Sequence, residues 1–571
     1  MAMEVDGTTD TSSTSPESTQ LGTSDIQISN LFDKLSQTLR TAKTSTDVNN
    51  LRKSLNDLTY ELTKYGAVPL SAEAWKPRIE HFVSTVLTNV KFHPAFALDV
   101  KDVENEIAEV LNRLVDSLTT ADGKRDSEVD LDWHLSLALS CTKCQSLSRI
   151  RAYGYYKVGA LRKNLPITPD IVSVYIPLVV SLLDGLVEDD SAVAKAASDS
   201  IVVIVQHFNI TNILHSTFEF ARKLLGIIDQ RTTGGLRDVV KFRVFDLLDD
   251  LLSQNLSTVS DVIQLGLMEH LYSSFRAFDL LVLANNCEIM AKLVHHSLGL
   301  QVLEESGGMK IAQEVLSTKQ DSDDLEYFGP YLLRMYITLA IKFPEYCVLK
   351  CEKLTLLAHS IILEQKSHTA AACLEYLAQL ASNSSAGKQY LNNLTLPTGK
   401  KYMSDVLAFM GSSLTGTQRT PIDDACLRDM SLLIKRGPVT SAQTDLDLQE
   451  INKQWFGLAG SGLFAILFRK AQNPFKDIKI PVLGILKSMA DQKWGHEHFR
   501  DEPGFMEYLL NRQAEVDKDI KELKFQIITA IAGSPTISEV FDSVTVIRLR
   551  EYVQDGPFYM AAEHNVAYEG S

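Results

Sequence analysis

The chain has 571 residues, of which 45% are hydrophobic and 22% charged, and a formal net charge of -16. Single cores stop growing at roughly 250–300 residues, so this length calls for several domains or for a core extended in one dimension, and the apolar content excludes global disorder. No basic run exceeds pairs such as Lys400-Lys401 and Lys435-Arg436. A nucleic-acid binder needs a basic stripe to displace counterions, so nucleic acid is not an expected partner.

In chain order, residues 1–24 are acidic and rich in Ser and Thr, with nothing to bury and no apolar run of the secretory type. They read as a disordered tail, and the expected location is cytosolic or nuclear. From Ile26 onward the text is helical. Val103, Ile107, Val110, Leu111, Leu114 and Leu118 recur at three- and four-residue steps, the spacing of one helix face. Cys141-x-x-Cys144 follows, with His134 at helical spacing before it. A structural zinc site needs four ligands, and no second such pair exists, so these cysteines read as small core hydrophobes. The most apolar stretch, Val174 to Leu183, contains Pro177 and Ser181 and is too short to span a bilayer.

The sharpest repeat signature comes next. Leu182-Leu183 ends a helix and Glu188-Asp189-Asp190 makes an acidic turn. Val193, Ala197, Ile201 and Val205 then follow at four-residue steps. An Asp at that turn caps the next helix and suits its positive end. The pattern looks like a HEAT or armadillo repeat, whose period of roughly 40–47 residues would fit about ten to twelve times. No clean fixed period tiles the chain. Phe242, Phe245, Leu248, Leu251 and Leu252 give a further helix face.

Breaks such as Gly66 to Pro69, Leu165 to Asp170, Gly329-Pro330 and Leu396 to Gly399 end one helix and start another. Gly411 to Glu450, richer in Ser, Thr, Asp and Gly, reads as a long excursion interrupted by a helix around Cys426 to Lys435. Cys347 and Cys351 stand four apart on an expected helix. His295-His296 and His496-x-His498 lack the His-Glu-x-x-His pattern of a metal site. Gly457, Gly460 and Gly462 have the wrong order for a dinucleotide loop and follow no strand pattern, so a turn before a helix at Leu463 is expected. Seven scattered cysteines suggest no disulfide framework. No cofactor, metal or enzymatic constellation is expected. The fold class that follows is an all-α, HEAT/armadillo-like α-solenoid of stacked antiparallel helix pairs, running as a single body over residues 25–571.

For such a body the expected activity is protein binding. Asp189, Asp190, Arg243, Asp249 and Asp250 are the candidate partner-binding residues, the aspartates as turn-borne charges that steer a partner and Arg243, between Phe242 and Phe245, as part of a binding surface. For the acidic pairs, capping and solvation at helix ends is the favoured reading, and steering the alternative. A generic armadillo/HEAT adaptor is the competing reading, although Trp75, Trp133, Trp455 and Trp494 are too irregularly spaced for a groove that reads extended peptides.

The C-terminal segment, 503–571, is the most distinctive. It holds Pro503-Gly504-Phe505, a helix to Ala532, Ile537 to Phe541, Leu549-Arg550-Glu551-Tyr552, Gly556-Pro557-Phe558-Tyr559 and Val566 to Gly570. In order and spacing it resembles the C-terminus of the 26S proteasome non-ATPase regulatory subunit 5 family. The resemblance implies a chaperone for assembly of the base of the proteasome regulatory particle. It implies binding to the C-terminal domain of ATPase regulatory subunit 7, in a precursor that also holds a second ATPase and non-ATPase subunit 2, and departure before the finished 26S particle works. It marks no contact residues. The closing Gly-Pro-x-Tyr is expected to cap the last helices.

Overall fold

The computed structural model describes residues 23–41, 45–64, 70–87, 97–119, 124–144, 147–161, 171–211, 213–229, 236–277, 280–318, 324–364, 367–416 and 420–559. The breaks expected at Gly66 to Pro69 and Leu165 to Asp170, nearly all of the N-terminal tail and the final Val566 to Gly570 lie outside these residues. Helices account for nearly everything described. The only strands among the described residues are two parallel pieces of two residues each, Leu70–Ser71 (β1) and Leu118–Thr119 (β2). No described helix is long and apolar enough to cross a membrane. The chain forms two compact units, residues 1–257 and 258–571.

The first unit contains α1 (Thr23–Thr41), α2 (Ser45–Lys64), α3 (Ala72–His81), α4 (Ala97–Asp116), α5 (Asp126–Val129), α6 (Leu131–Thr142), α7 (Ser148–Ala160), α8 (Ile171–Leu182), α9 (Ser191–His207), α10 (Glu219–Asp229) and α11 (Leu236–Ser253). Helices α2, α4, α7, α9 and α11 stack in succession, and α1, α6, α8 and α10 pair with members of that row from behind. This is the expected layering of helix pairs. Val103, Ile107, Val110, Leu111 and Leu114 are buried as the apolar stripe of α4. Leu118 is a correction, because α4 ends at Asp116 and Leu118 sits in β2, opposite Leu70. Pro177 lies inside α8 and does not break it. On α9, Val193, Ala197, Ile201 and Val205 are fully buried.

The second unit repeats in threes. Its helices are α12 (Val259–Leu265), α13 (Leu267–Ala277) and α14 (Leu280–Leu293); α15 (Ser297–Glu305), α16 (Gly308–Thr318) and α17 (Asp324–Lys342); α18 (Pro344–Lys350), α19 (Glu352–Leu363) and α20 (Ser367–Asn383); α21 (Ser385–Asn393), α22 (Tyr402–Thr415) and α23 (Pro421–Leu433). They continue with α24 (Ala442–Leu458), α25 (Leu463–Ala471) and α26 (Lys476–Ala490); α27 (Lys493–Asp501), α28 (Phe505–Leu510) and α29 (Lys518–Ala532); and a final pair, α30 (Ile537–Val540) and α31 (Ser543–Asp555). The third helices, α14, α17, α20, α23, α26 and α29, pack one on the next, and α31 closes the row. The second helices α13, α16, α19, α22 and α25 form a parallel row. The repeats begin at residues 259, 297, 344, 385, 442, 493 and 537, so their steps range from 38 to 57 residues. That spread is why no fixed period fits.

Two expected breaks are not breaks. Gly329-Pro330 lies within α17, which runs on past it. Pro330 removes one backbone donor, but Gly329 is there for close approach. A Cβ on it would stand 2.6 Å from Oγ1 and 2.7 Å from Cγ2 of Thr369 on α20. The Ser/Thr/Asp-rich segment 411–450 is mostly helix, and α23 is a full member of the third-helix row. Its polar residues serve helix ends. The backbone N–H of Thr420 donates to Asp423 Oδ2 at 2.8 Å, and that of Thr444 donates to Ser441 Oγ at 3.1 Å. Leu396 to Gly399 is a turn as expected, with Gly399 at φ 80°.

Candidate partner-binding surfaces

The residues that invite chemistry are occupied by the fold. His134 does not face Cys141; its Nε2 is 3.0 Å from Asp126 Oδ2 in the interior, and burial pulls the imidazole below its usual range against the pull of Asp126. Cys141 and Cys144 are buried, and burial pushes the Cys141 thiol up to about 12. Cys347 is also raised, by its hydrogen bond with Cys351 and then by burial. His296 caps α15, its Nδ1 accepting from Gly299 N–H at 3.1 Å. The His496 ring lies 2.7 Å from the Ala490 carbonyl, and His498 lies against Phe464. Gly462 opens α25 in the left-handed region at φ 78°. Among the described residues no group of three His, Cys, Asp or Glu side chains is placed to hold a metal ion.

The acidic turn is partly an internal clasp. Asp190 caps α9, accepting from Ala192 N–H at 2.8 Å, and takes a second bond from Ser148 Oγ on α7 at 2.8 Å. Burial would raise its carboxyl, but the bonds from Ser148 and Ala192 hold it below the usual carboxylate range. Arg243, on α11, donates to the Leu186 carbonyl at 2.9 Å. Burial lowers its guanidinium while Asp189 and Asp190 oppose that effect. The two carboxylates are thus close enough for their charge to act on Arg243. Asp189 itself is exposed. Asp249 and Asp250 lie at the far end of α11, half-buried and exposed respectively. Phe245 is in the core and Phe242 is half-buried.

A helix held between two neighbours in a row and backed by a second layer has one free side. In the second unit those free sides make a wall, one strip per repeat. Side-chain and backbone bonds join successive strips. Arg334 on α17 pairs with Glu288 on α14 at 3.0 Å. The N–H of His368 on α20 donates to Glu326 on α17 at 2.7 Å. Arg428 on α23 meets Glu375 on α20 at 3.4 Å. Ser488 on α26 donates to the Ser431 carbonyl at 2.8 Å, and Lys487 to Gln526 on α29 at 2.7 Å. Two of these links, Arg334 with Glu288 and Arg428 with Glu375, pair opposite charges. They leave an apolar strip on α17, where Tyr327, Tyr331 and Ile341 share a face with Arg334 and Thr338. Tyr327 is 67% exposed and Tyr331 49%, and on the neighbouring α14 Leu281 is 73% exposed. A break at Gly329-Pro330 separates the two tyrosines in the sequence reading. Treating the segment as one helix sets them four residues apart on one face.

The distinctive C-terminal residues build contacts within the last repeats. Phe505 is buried against Phe464, Phe468 and Phe499. Tyr508 donates to the Ala471 carbonyl at 2.8 Å. The Arg512 guanidinium lies 3.8 Å from the centre of the Tyr552 ring and 5.3 Å from that of Tyr559.

Comparison with known proteins identifies the family. The family model described as proteasome non-ATPase 26S subunit matches residues 40–571. The human protein named 26S proteasome non-ATPase regulatory subunit 5 is 23% identical over 81% of this chain and 87% of its own length. The mouse protein of that name is 24% identical over 92% and 98%, and the Drosophila melanogaster one 22% over 69% and 72%. Among solved structures, an engineered protein aligns at 13% identity with a TM-score of 0.37, covering 80% of this chain and 98% of its own. With the family match running through every repeat of the second unit and most of the first, the chain belongs to the proteasome non-ATPase 26S subunit family.

Proposed function

We propose that the protein is a non-catalytic assembly chaperone for the base of the proteasome regulatory particle, acting in the cytosol or nucleus. It holds the C-terminal domain of ATPase regulatory subunit 7 while that subunit sits in a precursor with a second ATPase and non-ATPase subunit 2, and it is absent from the mature particle. The observation that carries this reading is the row of third helices in the second unit. It offers an uncovered wall with paired charges and an exposed tyrosine strip, suited to a folded domain. Asp189, Asp249 and Asp250, outside the core, serve as steering charges, and Asp190 and Arg243 keep the turn in shape. A bound ATPase domain is shielded from its next partner until an assembly state that binds it more favourably displaces the chaperone.

The test is affinity capture of the tagged full chain from cell extract, probed for named subunits. ATPase subunit 7 and non-ATPase subunit 2 without core-particle subunits is the expected outcome. Core-particle subunits in equal measure, or neither ATPase nor subunit 2, would contradict the proposal.

A further inference from the structure

Near the start of the first unit two helix faces meet across a cleft of about 620 Å³. Helix α1 contributes Asp33, Ser36, Gln37 and Arg40, which share a face by their spacing, and α3 contributes Arg78 and His81. Phe32 and Phe82, with ring centres 4.9 Å apart, also line it. Arg78 is matched, with Nη2 2.6 Å from Asp33 Oδ1. Arg40 is not. Its Nη2 donates to His81 Nε2 at 2.7 Å, and no carboxylate pairs with it among the described residues. A neutral imidazole that accepts at Nε2 carries its hydrogen on Nδ1, which lies 3.3 Å from Thr85 Oγ1. An exposed guanidinium thus rests against a ring nitrogen and no carboxylate, in a chain whose net charge is -16. Directly after His81 the helix widens into a π-turn, Phe82–Val86. Such turns are rare and recur at functional sites.

We propose that this cleft binds a phosphate monoester, the side chain of a phosphoserine or phosphothreonine, with Arg40 as its principal ligand and His81 and Arg78 beside it. A phosphoryl group brings about -1.5 to -2 charges and three acceptor oxygens. Two of them match the guanidinium fork of Arg40, and the third is left for Arg78 or the Gln37 amide. A single carboxylate, already present as Asp33 on Arg78, would leave that geometry half used. The phosphoryl group can come from another protein or from this chain. Ser15, followed by Pro16, stands eight residues before Thr23. Those residues span at most ~27 Å when extended. Arg40 is seventeen residues along α1 from Thr23, a distance of ~26 Å, so Ser15 reaches it with those residues extended.

The test uses the full chain produced without phosphorylation and a labelled peptide of residues 11–19 carrying phosphate on Ser15. Its unphosphorylated twin and a scrambled phosphopeptide are run in parallel, with inorganic phosphate as competitor. The phosphopeptide should bind at least ten-fold tighter than its twin. Arg40→Gln should lose at least ten-fold in affinity at an unchanged Tm, with partial recovery in Arg40→Lys. Equal binding of the scrambled phosphopeptide assigns the group to a partner protein, and weaker binding assigns it to this chain; both support the site. Equal binding of the two twins, no binding of any phosphopeptide, or full affinity in Arg40→Gln would overturn it.

Discussion

Lys388 on α21 is fully buried without a carboxylate partner. Its ammonium donates to Asn452 Oδ1 at 2.7 Å and to the Lys435 carbonyl, so it ties three segments of neighbouring repeats together. Asn452 in turn donates to Gln492 Oε1 at 2.8 Å, and Gln492 donates to the Ile434 carbonyl at 2.8 Å. Burial, and then the Lys435 charge, pull Lys388 from 10.5 down to about 7. Between those two values the unfolded chain binds the extra proton, so stability contributed by this residue rises with pH across that window and is lowest below it. The stability gap between Lys388→Met and the natural chain should therefore move in favour of the variant by roughly 2 kcal/mol or more on going from pH 9.5 to pH 6. Urea denaturation of both proteins reads the gap. A gap that does not change with pH would contradict this. The residue was invisible as a buried group in the sequence, because lysine at a helix position reads as solvated and only the repeat partners reveal what encloses it.

At the scale of elements, α17 and α20 meet closely because Gly329 lets them. Thr369 also donates to the Leu325 carbonyl at 2.8 Å. Gly329→Ala should cost roughly 1–3 kcal/mol through overpacking, and Thr369→Ala in the same chain should recover part of it, a coupling measurable by a double-mutant cycle in denaturant. Additive costs would show that the two helices have room to spare. The helical faces and the capped acidic turn were legible because apolar spacing and Asp at a helix start act locally. The triplet repeat was not, because the connections between helices differ in length. A faint signal existed. Gly299, Gly387 and Gly495 each stand at the third position of the first helix of a repeat, where a Cβ would come within 2.0, 2.5 and 2.1 Å of a carbonyl oxygen of the preceding third helix. Gly329-Pro330 misled in the opposite direction, since Pro is a break by its chemistry and is tolerated here inside a helix. The tyrosine strip was lost with it. The candidate charges were legible as turn residues, but what Arg243 holds, backbone carbonyls 55 and 57 residues away, is set by repeat stacking alone.

Within each unit, rows of helices lay apolar and polar strips side by side, and family membership gives the biological setting. In the proposed function, partner binding turns on the wall of the second unit. Exposed aromatics at the centre of an interface commonly contribute more than 1 kcal/mol each. The most direct measurement is calorimetric titration of the purified C-terminal domain of ATPase regulatory subunit 7 into the full chain and into its Tyr327→Ala/Tyr331→Ala variant. Saturable one-to-one binding, weakened at least ten-fold in the variant while its Tm is unchanged, is the outcome expected. Absence of binding, or equal affinity in both proteins, would contradict the assignment of that wall to the partner.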